Sequence, residues 1–169
     1  LSLALLLAPA GVFADSGSDV RPGQRLQYRA AKSALQRGDP QPFIRARSLL
    51  ADYPLYPYLE LAELRRRLPA LPRAEVERFL ERHGNGLPAA RLRAAWLPLL
   101  ASHERWQEFL RLYVADPANT VRRCNHAWAL LKTGATAEAD RRTAEIWVAP
   151  RSLPQACDRL FQAWSTRGN

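Results

Sequence analysis

"DYPLYPYLE", residues 52–60, places three tyrosines and two prolines at close spacing and then enters a helical pattern at once. Such a stretch reads as a sugar-binding aromatic patch, a catalytic loop or a stiff joint between helices. Pro54 and Pro57 push the residues before them, Tyr53 and Tyr56, towards extended geometry. Pro57 suits the first turn of the helix that follows, where its missing N–H costs nothing. The stretch therefore predicts an elbow that ends one helix, crosses a short gap and starts the next. The rings of Tyr53, Tyr56 and Tyr58 fill the gap, with contact to a glycan as the alternative use for them.

Working outward from the elbow, the pattern is helical in both directions and nothing reads as a strand. Upstream, 24–37 is helical and stops at Gly38. Asp39 offers an N-cap with Pro40 at the first helical position, and that helix is expected to reach about Ala51. Downstream, Val76, Phe79, Leu80 and His83 recur at helical spacing from Pro72 until "HGNG", with Gly84 expected in the left-handed region. Leu92, Trp96 and Leu99 mark the next helix, with a kink or early stop expected at Pro98. Trp106, Phe109, Leu110 and Tyr113 follow, then Cys124, Trp128 and Leu131 up to Gly134. Ala139, Thr143, Ile146 and Trp147 are expected to face one way before Pro150. Ser152 and Gln155 fit a capping box ahead of Cys157, Leu160, Phe161 and Trp164.

Short helices joined by tight turns build either a bundle or a solenoid. An internal echo favours the solenoid. "ALQRGDPQPFIRARSLLADYP" and "ALLKTGATAEADRRTAEIWVAP" both run helix, glycine, helix, proline, with Gly38 matching Gly134 and Pro54 matching Pro150. The expected fold is all-α, an α-superhelix of short antiparallel helices whose contacts are mainly between sequence neighbours.

The 169 residues contain no methionine. The opening "LSLALLLAPAGVFADSG" is an apolar run ending in small residues, too short to span a bilayer comfortably. It reads as residues 1–14 of a secretory signal cut after Ala14, with its basic n-region upstream. Residues 15–23 form a loose lead-in, and 24–169 the helical body. No other segment is long and apolar enough to cross a membrane. Export permits disulfides, and the two cysteines, Cys124 and Cys157, suit one bridge, with two buried free thiols as the alternative. Net charge is +9, carried almost entirely by arginine, so an exported chain of this kind would associate with polyanions such as cell-wall polymers or anionic membrane surfaces. Nucleic acid is the other partner such charge permits, but no recognition motif supports it.

No catalytic constellation emerges. His83, His103 and His126 lack metal-ligand spacing, and no Walker loop, GxSxG or GxGxxG occurs, so no metal or cofactor is expected. Glu60 with Glu63, and Glu75 with Glu77, read as acids placed near helix N-termini by the macrodipole. The run Arg65–Arg67 reads as a solvated face, with Glu63 positioned to pair with Arg66 or Arg67. All five tryptophans fall on apolar helical faces.

The string "DYPLYPYLELAEL" at 52–64 resembles the soluble lytic transglycosylases that cleave bacterial peptidoglycan. So do "CNHAWALLKTGATAEA" from Cys124, Ile146-Trp147 and "LPQACDRLFQAWSTRGN" from Leu153. The resemblance is weakest between Leu68 and Ala118. It implies a periplasmic location, a Cys124–Cys157 disulfide and an N-terminal superhelix that joins a C-terminal lysozyme-like domain. That domain's single glutamate would cleave MurNAc–GlcNAc bonds to 1,6-anhydro products without metal. Its Glu-Ser and Gly-Leu-Met-Gln signatures are absent here, so no catalytic residue carries over. The implied role is scaffold and substrate positioning around peptidoglycan glycan strands, alongside the missing catalytic domain. A secreted helical-repeat adaptor that binds another protein is the competing function.

Overall fold

The computed structural model describes residues 22–148 and 152–168. The signal segment 1–14, most of the lead-in and Pro150 lie outside the described residues. Those described are all helix and turn. The helices are α1 (Pro22–Gln36), α2 (Gln41–Ala46), α3 (Tyr56–Arg66), α4 (Arg73–His83), α5 (Leu87–Ser102), α6 (Trp106–Leu112), α7 (Thr120–Lys132), α8 (Thr136–Trp147) and α9 (Asp158–Ser165). Single 3₁₀ turns at Leu68–Ala70 and Gln155–Cys157 follow α3 and precede α9. The chain divides into two compact units, Leu1–Leu59 and Glu60–Asn169.

In the first unit α1 packs on α2. Gly38 takes φ +85°, and the Asp39 N–H reaches back to the Ala34 carbonyl at 2.9 Å, closing α1 with a left-handed cap. The Gln41 N–H donates to Asp39 Oδ1 at 2.9 Å just ahead of α2, which starts at Gln41 with Pro40, expected as its first residue, at the cap position instead. Regular α2 ends at Ala46 rather than near Ala51. The remaining residues turn, holding Leu50 buried among Ala31, Leu35, Phe43, Tyr53 and Leu59. The elbow is tighter than expected. Consecutive i→i+3 bonds, Tyr53 N–H to Leu50 and Tyr56 N–H to Tyr53, fold it into turns, and Tyr56 itself starts α3 with Pro57 second.

In the second unit each helix from α4 to α9 packs chiefly on its sequence neighbours, with lesser α5–α7 and α7–α9 contacts. This is the packing of a solenoid of short antiparallel helices. One core holds Val76, Phe79, Leu92, Trp96, Leu100 and Phe109, and a second holds Cys124, Ala127, Ile146, Cys157 and Leu160.

Several local expectations are corrected. Gly84 has φ +54° but ψ −123°, outside the left-handed helical region. α5 runs past Pro98 to Ser102. Pro98 and Ala94 are both exposed, so the carbonyl that lost its N–H partner can hydrate, while buried Leu97 and Leu100 hold the helix on its inner face. Ser152 forms no capping box. The turn before α9 begins at Gln155 with Pro154 at its cap, and no side chain bonds there. Cys124 lies in the second turn of α7. Trp147 does not join Thr143 and Ile146 inside; it is 57% exposed, because the buried face of α8 continues through Ala139, Thr143 and Ile146.

Candidate functional site

Two of the elbow tyrosines, Tyr53 and Tyr56, pack in the core of the first unit. Tyr53 is buried, with its ring 5.2 Å from that of Tyr28, and Tyr56 lies 6.2 Å from Phe43, near parallel. Arg47 Nε donates to the Tyr56 hydroxyl at 3.4 Å. Burial, with the neighbouring Tyr53 and Tyr58, pushes the Tyr28 phenol up. Tyr53 is thus a core ring, whereas Tyr56 and Tyr58 keep part of their surface in solvent.

Glu75 sits in the first turn of α4 as the macrodipole argument expects, but the carboxylates of α3 do not lie in its first turn. Glu60 is the fifth residue of α3, not part of its first turn, and is 5% exposed. Its oxygens are held by Arg82 Nη1 at 2.9 Å and His83 Nε2 at 3.0 Å, both from the last turn of α4. The His83 ring packs on Phe79 at 4.4 Å between centroids. With both oxygens engaged, Glu60 works as a clamp between α3 and α4. Glu63 does pair with Arg67, at 2.6 Å, and Arg67 reaches on to Glu75 at 2.7 Å. These two carboxylates hold the Arg67 guanidinium well above its usual range. Glu108 is held below the usual carboxylate range by hydrogen bonds from Arg105. Glu60 with Arg82 and Arg67 with Glu75 link neighbouring helices, whereas Glu63 with Arg67 and Arg105 with Glu108 are local pairs.

Cys124 and Cys157 are bonded, with S–S 2.01 Å, Cα–Cα 5.2 Å and both residues fully buried. The bridge ties α7 to the start of α9. Beside it, Arg159 lies between the Trp106 and Trp128 rings, 5.0 and 5.1 Å from their centroids, and donates to Asn125 Oδ1 at 3.1 Å. Sequence reasoning missed this sandwich and the Glu60 clamp, because their partners lie 22 or more residues apart. Trp147 contacts Phe161 and Trp164 at 5.0 and 6.0 Å. His103 is exposed, and His126 stacks flat on Tyr113. Among the described residues no group of three or more His, Cys, Asp or Glu could hold a metal. No described helix is long and apolar enough to cross a membrane. The arrangement supplies rigid surfaces and binding groups, and its cysteines are consumed by the bridge.

No protein-family model matches the chain. It is 32% identical over 145 residues to the soluble lytic murein transglycosylase of Escherichia coli K12, a match covering 86% of this chain and 22% of that one. The solved structure of an inactive mutant of the lytic transglycosylase Slt from Pseudomonas aeruginosa superposes with TM-score 0.77 at 38% identity, covering 84% of this chain and 23% of that one. The 70-kDa soluble lytic transglycosylase from Escherichia coli gives the same TM-score at 32% identity, covering 87% and 24%. The chain therefore spans less than a quarter of the length of these relatives.

Proposed function

We propose that this chain, a homologue of the soluble lytic murein transglycosylases over 86% of its length, is the N-terminal superhelical portion of such an enzyme. In this reading it positions peptidoglycan glycan strands for a lysozyme-like domain that cleaves MurNAc–GlcNAc bonds to 1,6-anhydro products. The observation that carries the reading is the match in both sequence and fold across most of this chain but under a quarter of each relative. Two features support a scaffold role: Glu60 and Arg67 are engaged in ion pairs that join one helix to the next, and the net charge of +9 favours an anionic polymer. The location would be the periplasm, reached through the apolar segment 1–14.

The test has two arms. Purified chain incubated with murein sacculi releases no anhydromuropeptides by mass spectrometry; release would overturn the non-catalytic assignment. Exchanging this chain for the matching segment of the Escherichia coli enzyme leaves the chimera able to digest sacculi. A folded but inert chimera would favour an adaptor that binds another protein.

A further inference from the structure

A cavity of about 330 Å³ opens between the 113–117 connection, α7 and α8. Its polar walls are Tyr113, Asp116, Arg123, His126, Arg142 and Glu145. The charges around it pair off, with one exception. Arg122 holds Asp116 at 3.2 Å, Arg142 holds Glu145 at 3.2 Å and Glu138 at 2.8 Å, and Arg141 also holds Glu138. Arg123 meets no carboxylate among the described residues, and its one hydrogen bond is a long 3.5 Å contact to the Glu145 backbone carbonyl. A guanidinium presents five donors in a planar fork suited to a carboxylate, so most of this fork is open to a ligand.

Beside Arg123, one turn further along α7, the lining is aromatic. The Tyr113 and His126 rings stack at 3.8 Å and 1°, and Phe109 continues the stack behind Tyr113 at 6.0 Å. Neither the imidazole nitrogens of His126 nor the Tyr113 hydroxyl has a hydrogen-bond partner among the described residues. His126 is half-buried; burial and the nearby Arg142 disfavour its charged form, with Glu138 opposing. The lining thus offers a fixed cation beside polar groups carried on a flat aromatic stack. The volume lies at the lower end of small-molecule sites and exceeds what a bare inorganic anion fills.

We propose that this cavity binds a carboxylate carried on a body the size of an amino acid or a monosaccharide. Arg123 takes the carboxylate, and Tyr113 and His126 take the polar groups of the body. The assignment rests on the cavity alone, so it stands or falls independently of the proposed role in peptidoglycan turnover.

The test is an NMR titration at constant ionic strength, reading the His126 and Tyr113 ring resonances with His83 and His103 as internal controls. The probes are N-acetylglutamate, glucuronate, the neutral sugar N-acetylglucosamine and inorganic phosphate. One or both carboxylates are expected to shift the His126 and Tyr113 signals saturably and leave the controls unmoved. A response to only one of the two identifies whether an amino-acid or a sugar body is taken. Arg123→Gln is expected to weaken that binding by about tenfold. Silence from both carboxylates overturns the site. Equal shifts from N-acetylglucosamine or phosphate overturn the carboxylate assignment. These outcomes are read on the unsubstituted chain, so they hold even if Arg123→Gln fails to fold.

Discussion

The two acids of α3 find different kinds of partner: Glu63 pairs with Arg67 at the end of its own helix, and Glu60 pairs across to α4. Glu63 and Arg67 lie four apart, so helix geometry alone predicts their pairing. Glu60 meets Arg82 and His83 only because α4 folds back beside α3, and nothing local in "LELAEL" marks Glu60 as buried. Glu60→Ala strips both partners of their acceptor. Arg82 is half exposed and can rehydrate, so the expected loss is about 1–3 kcal/mol by urea denaturation, and Arg82→Ala should cost less. His126 gives a pH dependence of definite sign. Its pKa is lowered in the fold, first by burial and then by Arg142, so the folded state binds fewer protons than the unfolded chain. That contribution is present above the ordinary histidine range and is lost as pH falls through it towards the folded value. His126→Phe keeps a ring against Tyr113 and should flatten the fall in melting temperature between about pH 8 and about pH 5. An unchanged slope in the variant would assign the fall to other groups.

At the scale of elements, glycine and proline punctuation located the helices, and errors arose where the structure used a different residue for the same job. Gly38, Glu104 and Gly134 all have positive φ, and in each case the next residue bonds back five positions: Asp39 to Ala34, Arg105 to Leu100, Ala135 to Leu130. The match between Gly38 and Gly134 in the sequence is thus a match of helix ends. The same cap at Glu104 was invisible, because "SHERW" carries no glycine. A side chain in that conformation costs about 1–2 kcal/mol. Glu104→Gly should therefore stabilise by up to about 1 kcal/mol, less than the strain relieved because the unfolded chain gains freedom. Gly134→Ala should destabilise by about 1 kcal/mol, purely through the backbone, since a Cβ there meets nothing within 4 Å. Paired melting curves decide both. The bridge is the other element-scale constraint. With its cysteines separated by 33 positions in sequence, the chain-entropy model gives roughly 3–4 kcal/mol, so the reduced chain should melt well below the oxidised one.

For the molecule as a whole, the solenoid was legible because short helices with tight turns leave few other ways to bury their apolar faces. The cavity was not legible. Tyr113, Arg123, His126 and Arg142 come from three separate stretches, and each alone reads as an ordinary helix-surface or core residue. The organisation by neighbours has a measurable consequence within residues 60–168. Ile146 is buried with Cys124, Cys157 and Leu160, in a core separate from that of Val76, Phe79 and Leu92. Ile146→Ala removes buried methyl groups and should cost about 2–4 kcal/mol. In a structure stabilised repeat by repeat, that loss stays near its origin. Native-state hydrogen exchange should then accelerate in α7, α8 and α9 while α4 and the first half of α5 keep near-original protection. The Arg159 sandwich, which joins Trp106 to Trp128, limits how sharp that boundary can be, so α6 is expected to show an intermediate response. Uniform acceleration from α4 to α9 would instead mean that these helices open together as one bundle-like unit, and the neighbour-by-neighbour account of their stability would be wrong.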